Sequence, residues 1–114
     1  MADDEETPIP FLDELRAWHE NYVAEGGRRN VRVEFQEHRD DSPKRMGAVS
    51  VRARAAEGEL LLWESGECDT QAFGTDSTGE VVPLLLRSRV LSDKDLVTVV
   101  ADDLVDHVAD YSGT

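Results

Sequence analysis

The stretch from Gly58 to Glu80 constrains the fold of this chain more than any other part of the sequence. It reads GELLLWESGECDTQAFGTDSTGE, in which two strand-forming segments are separated by the turn-forming residues Ser65-Gly66-Glu67. This pattern predicts a β-hairpin. A three-residue turn at this place puts Asp69, Gln71 and Phe73 on the outer face of the second strand and leaves Cys68, Thr70 and Ala72 facing the core.

Alternating residues predict three further strands, within VRVEFQEH (31–38), residues 49–55 and VVPLLLRSRVL (81–91). Pro83 in the last of these has no backbone N–H to donate, which favours an edge strand or a bulge. A two-residue turn at Glu57-Gly58 would join the second and third strands. In that register Leu60 and Leu62 face the core, and Trp63 points outward opposite Arg52.

Helical spacing of apolar residues predicts a first helix over residues 10–25, with Phe11, Leu12, Leu15, Trp18, Tyr22 and Val23 on its apolar face. A second helix is predicted over residues 92–111, opened by a capping box of Ser92 and Asp95. Its predicted apolar stripe is Leu96, Val99, Val100, Leu104, Val108 and Tyr111.

The predicted order is helix, five strands, helix, without crossover helices between strands. We therefore expect an α+β fold: a mostly antiparallel meander sheet with the N-terminal and C-terminal helices packed on it. A single domain over residues 10–111 follows an acidic, flexible tail over residues 1–9. The predicted core comprises Leu15, Trp18, Val33, Phe35, Val51, Leu60, Leu62, Leu96, Val100 and Leu104.

The charge balance excludes several classes of partner. The chain has 25 acidic and 12 basic residues in 114 and a formal net charge of −13. Nucleic acids and anionic membranes are therefore not expected partners, since both are bound through Lys and Arg. Two alternatives explain the acidity: an acidic surface that serves a partner, or adaptation to solubility or a high-salt cytoplasm.

Other features favour a protein without catalysis or cofactor. The sequence has no phosphate-binding glycine loop, no nucleophile elbow and no zinc-protease histidine pair. His19, His38 and His107 lie on separate predicted elements, so no metal site is expected. Cys68 is the only cysteine, which excludes an internal disulfide. No apolar run approaches the ~20 residues that span a bilayer, and we expect a cytoplasmic protein.

Two groups of residues are candidates for binding a partner. The first is the set of acids on the last helix, where like charges four residues apart repel by about 0.2–0.5 kcal/mol per pair. A solvated helix face is the favoured interpretation of these acids, but their repulsive spacing has no evident structural benefit and a basic partner could compensate for it. This group comprises Asp102, Asp103, Asp106 and Asp110.

The second group is Trp63 with Leu61 and Phe73 on the outer side of the predicted sheet. Trp is a frequent hot-spot residue of protein interfaces. Two alternatives need no partner: the stems of Arg52 and Arg54 can lie across the indole, or a helix can cover this face. We favour the acidic helix slightly as the interface.

The segment ELLLWESGECDTQAFGTDSTGE resembles the TriTu-type immunity proteins of bacterial polymorphic toxin systems. The resemblance rests on Trp63, Gly66, Glu67, Thr78-Gly79-Glu80 and the residues from Ser92 to Leu96. The order of predicted elements is similar over residues 10–110, whereas the amino-acid sequence itself is similar only over residues 58–80. It implies a small cytoplasmic protein that binds a cognate toxin domain and blocks it without catalysis.

Electrostatics suggests a compatible mechanism, because an acidic protein can occlude the basic substrate groove of a toxin. The alternatives are an acidic protein-binding adaptor, a DNA-mimic inhibitor, or a small enzyme whose site assembles only in the folded chain.

Overall fold

The computed structural model describes residues 10–26, 30–38 and 45–111, so the predicted tail of residues 1–9 lies outside the described residues. Five strands lie between two helices, as predicted. Their order is α1 (Phe11–Ala24), β1 (Arg32–His38), β2 (Met46–Arg52), β3 (Ala56–Trp63), β4 (Glu67–Thr75), β5 (Val81–Val90) and α2 (Asp95–Asp110). Each strand pairs antiparallel with the next, which gives a five-stranded meander. The predicted α+β architecture is confirmed.

Both helices pack on the same face of this sheet. α1 contacts β1, β2 and β3, whereas α2 contacts β2 through β5, and the two helices also contact each other. Their apolar faces and the inward side chains of the strands form one core. Its most deeply buried members include Leu15, Val49, Val51, Leu60, Leu62, Leu104 and Val108.

The predicted helices differ from the observed ones in two respects. Val23 and Val99, which were expected on the apolar stripes, are 58% and 57% exposed. The predicted capping box is wrong, because α2 begins at Asp95 rather than near Ser92. The backbone N–H of Asp95 donates to Asp93 Oδ1 at 2.9 Å, so Asp93 satisfies a donor at the start of the helix.

The predicted register between β2 and β3 is also wrong. The chain turns at residues 53–55, where the N–H of Ala53 donates to the carbonyl of Ala56 at 2.8 Å, and Glu57 and Gly58 lie inside β3. Arg52 therefore pairs with Glu57 instead of Trp63. The predicted faces are nevertheless correct. The observed pairing of β2 with β3 differs from the predicted one by an even number of residues, and side chains alternate between the two faces with a period of two, so each side chain stays on its predicted face.

Gly58 lies in the strand because its lack of a side chain is needed there. A Cβ atom at this position would lie 2.7 Å from Leu104 Cδ1 and 3.0 Å from the carbonyl oxygen of Gln71. Since real Cβ atoms do not approach neighbours so closely, the glycine allows α2 to rest directly on β3. The residue that suggested a turn is a packing residue.

β5 forms one edge of the sheet, as Pro83 predicted. The pairing with β4 shifts between Ala72 and Phe73: Ala72 lies opposite Leu85 and Phe73 lies opposite Pro83, which leaves Leu84 in a bulge. β5 thus combines both outcomes that a strand proline favours.

Candidate partner-binding surfaces

Asp102, a member of the predicted acidic helix face, has a structural role. Its Oδ1 accepts a hydrogen bond of 2.9 Å from Nε1 of Trp18. The Trp18 side chain is buried, with 5% of its surface exposed, so its indole N–H needs an acceptor inside the protein. Asp102 supplies it and thereby joins α2 to α1.

Asp103 also has partners within the chain. Its Oδ2 lies 3.8 Å from Nη1 of Arg87 on β5, and its Oδ1 lies 3.5 Å from Nδ1 of His107 one helical turn later. His107 Nδ1 is in addition 2.9 Å from the backbone oxygen of Asp103. Asp102 and Asp103 therefore have structural roles, although the repulsive spacing of these acids had suggested no structural benefit.

Asp106 and Asp110 are the exposed members of this group. Asp106 borders an open cleft of about 470 Å³ between α2 and β5, together with Asp103, Arg87 and Arg89. Acids line one wall of this cleft and arginines line the other. The acidic helix face is thus a surface of mixed charge and not a uniform acidic field.

The second candidate group lies on the side of the sheet opposite the helices, which we call the outer sheet face. No helix of the described ranges covers it, since both helices pack on the other side. On β3 and β4 it consists of Glu57, Glu59, Leu61, Trp63, Glu67, Asp69, Gln71, Phe73 and Thr75.

Trp63 and Leu61 form an apolar centre on this face. Trp63 lies opposite Met46, and Leu61 lies between Ala48 of β2 and Asp69 of β4. Both side chains are half-buried. The structure thus confirms that Trp63 and Leu61 point outward and are neighbours on β3.

Phe73 lies on the outer sheet face, but it is far from the apolar centre of Trp63 and Leu61. It lies opposite Glu57, which precedes Trp63 by six positions along β3, a separation of roughly 20 Å at about 3.3 Å per residue. The interpretation that arginine stems cover the indole is also wrong for Arg52. That side chain lies beside Glu57, with its Nε 3.7 Å from Glu57 Oε1.

Carboxylates border the apolar centre along β3 and on the side of β4. An open groove of about 360 Å³ runs across β3, β4 and β5 between Glu59, Leu61, Asp69 and Leu86. On the described part of the outer sheet face, the acids Glu34, Glu57, Glu59, Glu67 and Asp69 outnumber the bases Arg32 and Arg52. Asp69 was expected on this face, but neither Asp69 nor Glu59 was named as a candidate binding residue, although alternation along β3 and β4 places both of them beside Leu61.

The turn Thr78-Gly79-Glu80, which contributes to the family resemblance, has a structural role. The carboxylate of Asp76 accepts hydrogen bonds from the hydroxyl of Thr78 at 2.6 Å and from the backbone N–H groups of Thr78 and Glu80 at 2.9 and 3.0 Å. These bonds, the hydroxyl of Thr78 first, lower the pKa of Asp76. Gly79 has φ +88°, a conformation that favours glycine.

Cys68 is buried and forms no disulfide. Burial raises the pKa of the Cys68 thiol to about 11, which keeps it protonated at neutral pH. Within residues 10–26, 30–38 and 45–111, no three His, Cys, Asp or Glu side chains are grouped so that they could hold a metal ion. No helix in the described ranges has both the length and the apolar character that crossing a membrane requires.

Comparisons with known proteins do not assign the chain to a family. No protein-family model, curated protein or solved structure matches it.

Proposed function

We propose that this chain is an immunity protein, which binds a cognate bacterial toxin domain and neutralises it by occlusion without catalysis. The observation that carries the proposal is the outer sheet face, where Trp63 and Leu61 form an apolar centre among carboxylates. Apolar anchors within a charged rim are the usual composition of a protein interface.

The outer sheet face is a better candidate for the interface than the acidic helix face. Asp102 and Asp103 already have partners in Trp18 and Arg87, so a partner protein would have to displace these contacts or share their carboxylates. A partner that contacts Trp63 would not have to displace Arg52, because Arg52 lies beside Glu57 at the other end of β3.

The charge of the outer sheet face suggests how neutralisation works. Its excess of carboxylates, within a chain of net charge −13, attracts a basic surface such as a substrate groove and accelerates the encounter. Trp63 and Leu61 then provide short-range packing that slows dissociation. A toxin domain held in this way cannot admit its substrate.

The test begins with the genes adjacent to that of this chain, where the proposal expects a gene for the cognate toxin domain. Coexpression should restore growth to cells that produce the toxin domain, and the purified pair should form a stable complex with one toxin per chain. In binding kinetics, Trp63→Ala should raise the dissociation rate about 30-fold, the equivalent of roughly 2 kcal/mol for a hot-spot tryptophan. Phe73→Ala is the matched control on the same face and should change the rate less than about threefold.

A third variant separates the two candidate surfaces. Asp106→Lys combined with Asp110→Lys reverses two exposed charges and leaves the bond between Asp102 and Trp18 in place. A slower association with an unchanged dissociation rate would identify the acidic helix face as a steering surface only. If this variant abolishes binding and Trp63→Ala does not, the assignment to the outer sheet face is wrong. If no adjacent toxin domain is bound, the proposed function itself fails.

A further inference from the structure

The groove across β3, β4 and β5 contains a pair of neighbouring carboxylates. Asp69 lies opposite Leu61, and Glu59 lies opposite Gln71, so the two acids are diagonal neighbours on adjacent strands. The Cβ atoms of such neighbours are roughly 7 Å apart. Within the described ranges, neither carboxylate forms an ion pair or accepts a hydrogen bond, although Glu59 is half-buried. The described part of the chain therefore leaves both charges free to bind a cation.

Exposed apolar surface borders these carboxylates. Leu86 of β5 lies opposite Gln71 and lines the groove together with Leu61 of β3. It is 65% exposed, which places it among the most exposed large hydrophobic side chains of the described residues. A ligand that fills the groove must therefore bring apolar surface to the two leucines and positive charge to the two acids.

An arginine side chain has this composition. Its methylene groups can lie on apolar surface while the guanidinium stays at a charged site. The guanidinium presents several N–H donors in a rigid planar fork, so it can bond with two carboxylates at once, whereas the ammonium of lysine is a compact point charge. A metal ion would use the acids alone, and no three His, Cys, Asp or Glu side chains of the described residues are grouped to hold one.

The arginines nearest to the groove are directed elsewhere. Arg52, on the same face, has its Nε 3.7 Å from Oε1 of Glu57. Arg87 lies at the margin of the groove on β5, but its guanidinium points to the helix side, where Nη1 lies 3.8 Å from Oδ2 of Asp103. Neither of these bases neutralises the two acids of the groove, so the charge there is complementary to an arginine brought by another protein.

We propose that the groove receives one arginine side chain of the partner protein. The guanidinium bridges the carboxylates of Glu59 and Asp69, and the methylene groups pack between Leu61 and Leu86. This inference rests on the proposed function, because it names the feature of the toxin domain that the outer sheet face recognises. A charge pair that is desolvated in the complex slows dissociation, so the two acids do more than steer the encounter. The bound arginine lies beside Trp63, the next outward residue of β3 after Leu61.

A titration that needs no toxin tests the groove by itself. The probe is N-acetyl-arginine amide, added to the full chain while the backbone amide signals are followed by NMR. Saturable shifts in the millimolar range are expected at Asp69, Gln71 and Leu86. N-acetyl-citrulline amide, which has the same shape without the charge, should bind at least about tenfold more weakly. Shifts that do not saturate, or that are equal for the two probes, overturn the proposal.

Two conservative variants test the groove in the complex. Glu59→Gln and Asp69→Asn each remove one charge and keep the shape of the side chain, and each should raise the dissociation rate of the toxin complex at least about fivefold. Glu34→Gln is the matched control, because Glu34 is an exposed acid of the same face and lies two strands away from Glu59, with Ser50 between them. It should change the rate less than about twofold. A slower association with an unchanged dissociation rate in the groove variants would mean that the acids only steer, and it overturns the proposal.

A double-mutant cycle identifies the arginine of the toxin domain. One toxin arginine, changed to Gln, should lose about the same factor as Glu59→Gln, and the two losses should not add. If no toxin arginine is coupled to Glu59 or Asp69 while Trp63→Ala still accelerates dissociation, the proposed function stands and the arginine groove is wrong. If no adjacent toxin domain is bound at all, the proposed function fails, and the titration with N-acetyl-arginine amide still decides whether the groove receives an arginine.

Discussion

The indole Nε1 of Trp18 on α1 lies 2.9 Å from Oδ1 of Asp102 on α2, although the two residues are 84 positions apart in the sequence. Their hydrogen bond joins the two helices. This bond is a direct polar contact between α1 and α2. It also explains why one of the acids on α2 is half-buried instead of pointing to solvent.

Removing either partner of this bond should destabilise the protein. Asp102→Ala leaves the buried indole N–H without its acceptor, and we expect a cost of about 1–3 kcal/mol in urea unfolding. Trp18→Phe removes the donor and keeps most of the ring. In a double-mutant cycle the two changes should be coupled by about 1 kcal/mol or more. Additive effects would show that the bond contributes little to stability.

Leu62→Ala should destabilise the chain by about 2–5 kcal/mol, since it creates a cavity in the core. Leu62 is 0% exposed and lies on the inner face of β3. Leu61→Ala is the neighbouring control, because Leu61 is half-buried on the outer sheet face, and it should cost less than half as much. Chemical denaturation measures both, and equal costs would contradict the assignment of the two faces.

Gly58→Ala should destabilise the protein by about 1–3 kcal/mol, the usual range for overpacking a core. The added methyl group would meet Leu104 Cδ1 at 2.7 Å and force α2 away from β3. Gly58→Ala combined with Leu104→Val, which shortens the opposing side chain, should recover part of the loss. If Gly58→Ala is neutral, α2 is not held as closely to the sheet as the structure shows.

Cys68 should make the stability depend on pH in the alkaline range. Burial raises the pKa of its thiol from an ordinary value of 9.0 to about 11. Between these values the unfolded chain has released this proton while the native chain retains it, so the free energy of unfolding falls as the pH rises. The contribution is fully present below pH 9 and is lost as the pH passes through about 11. Comparison with Cys68→Ala by denaturation at each pH isolates it, and identical pH profiles would contradict it.

The faces of the strands could be predicted from sequence, whereas their register could not. Alternation alone places Leu60 and Leu62 inward and Leu61 and Trp63 outward, and the structure confirms this. The register depends on where the turn lies, and Gly58 misled the prediction because glycine serves turns and close packing equally well. Its packing role arises from Leu104 on α2, which is distant in sequence.

The candidate surfaces could be predicted only in part, because they also depend on strand register and on contacts between elements that are distant in sequence. The sequence identified Trp63 and Leu61 as outward neighbours, but it also grouped Phe73 with them, which needed the register between β3 and β4. The partners of Asp102 and Asp103 could not be predicted, because Trp18 and Arg87 lie on other elements that only the tertiary structure brings to α2.

The meander topology has a consequence for how the chain folds. Every strand pairing joins consecutive strands, so each closes a short loop and can form early, whereas the contact between Trp18 and Asp102 closes a loop of 84 residues. The assembled sheet holds both helices near their final positions, which reduces the entropy lost in that last closure. Changes at Trp18 or Asp102 should therefore accelerate unfolding and leave the refolding rate nearly unchanged in stopped-flow kinetics. A slower refolding rate would instead mean that the two helices dock before the sheet is complete.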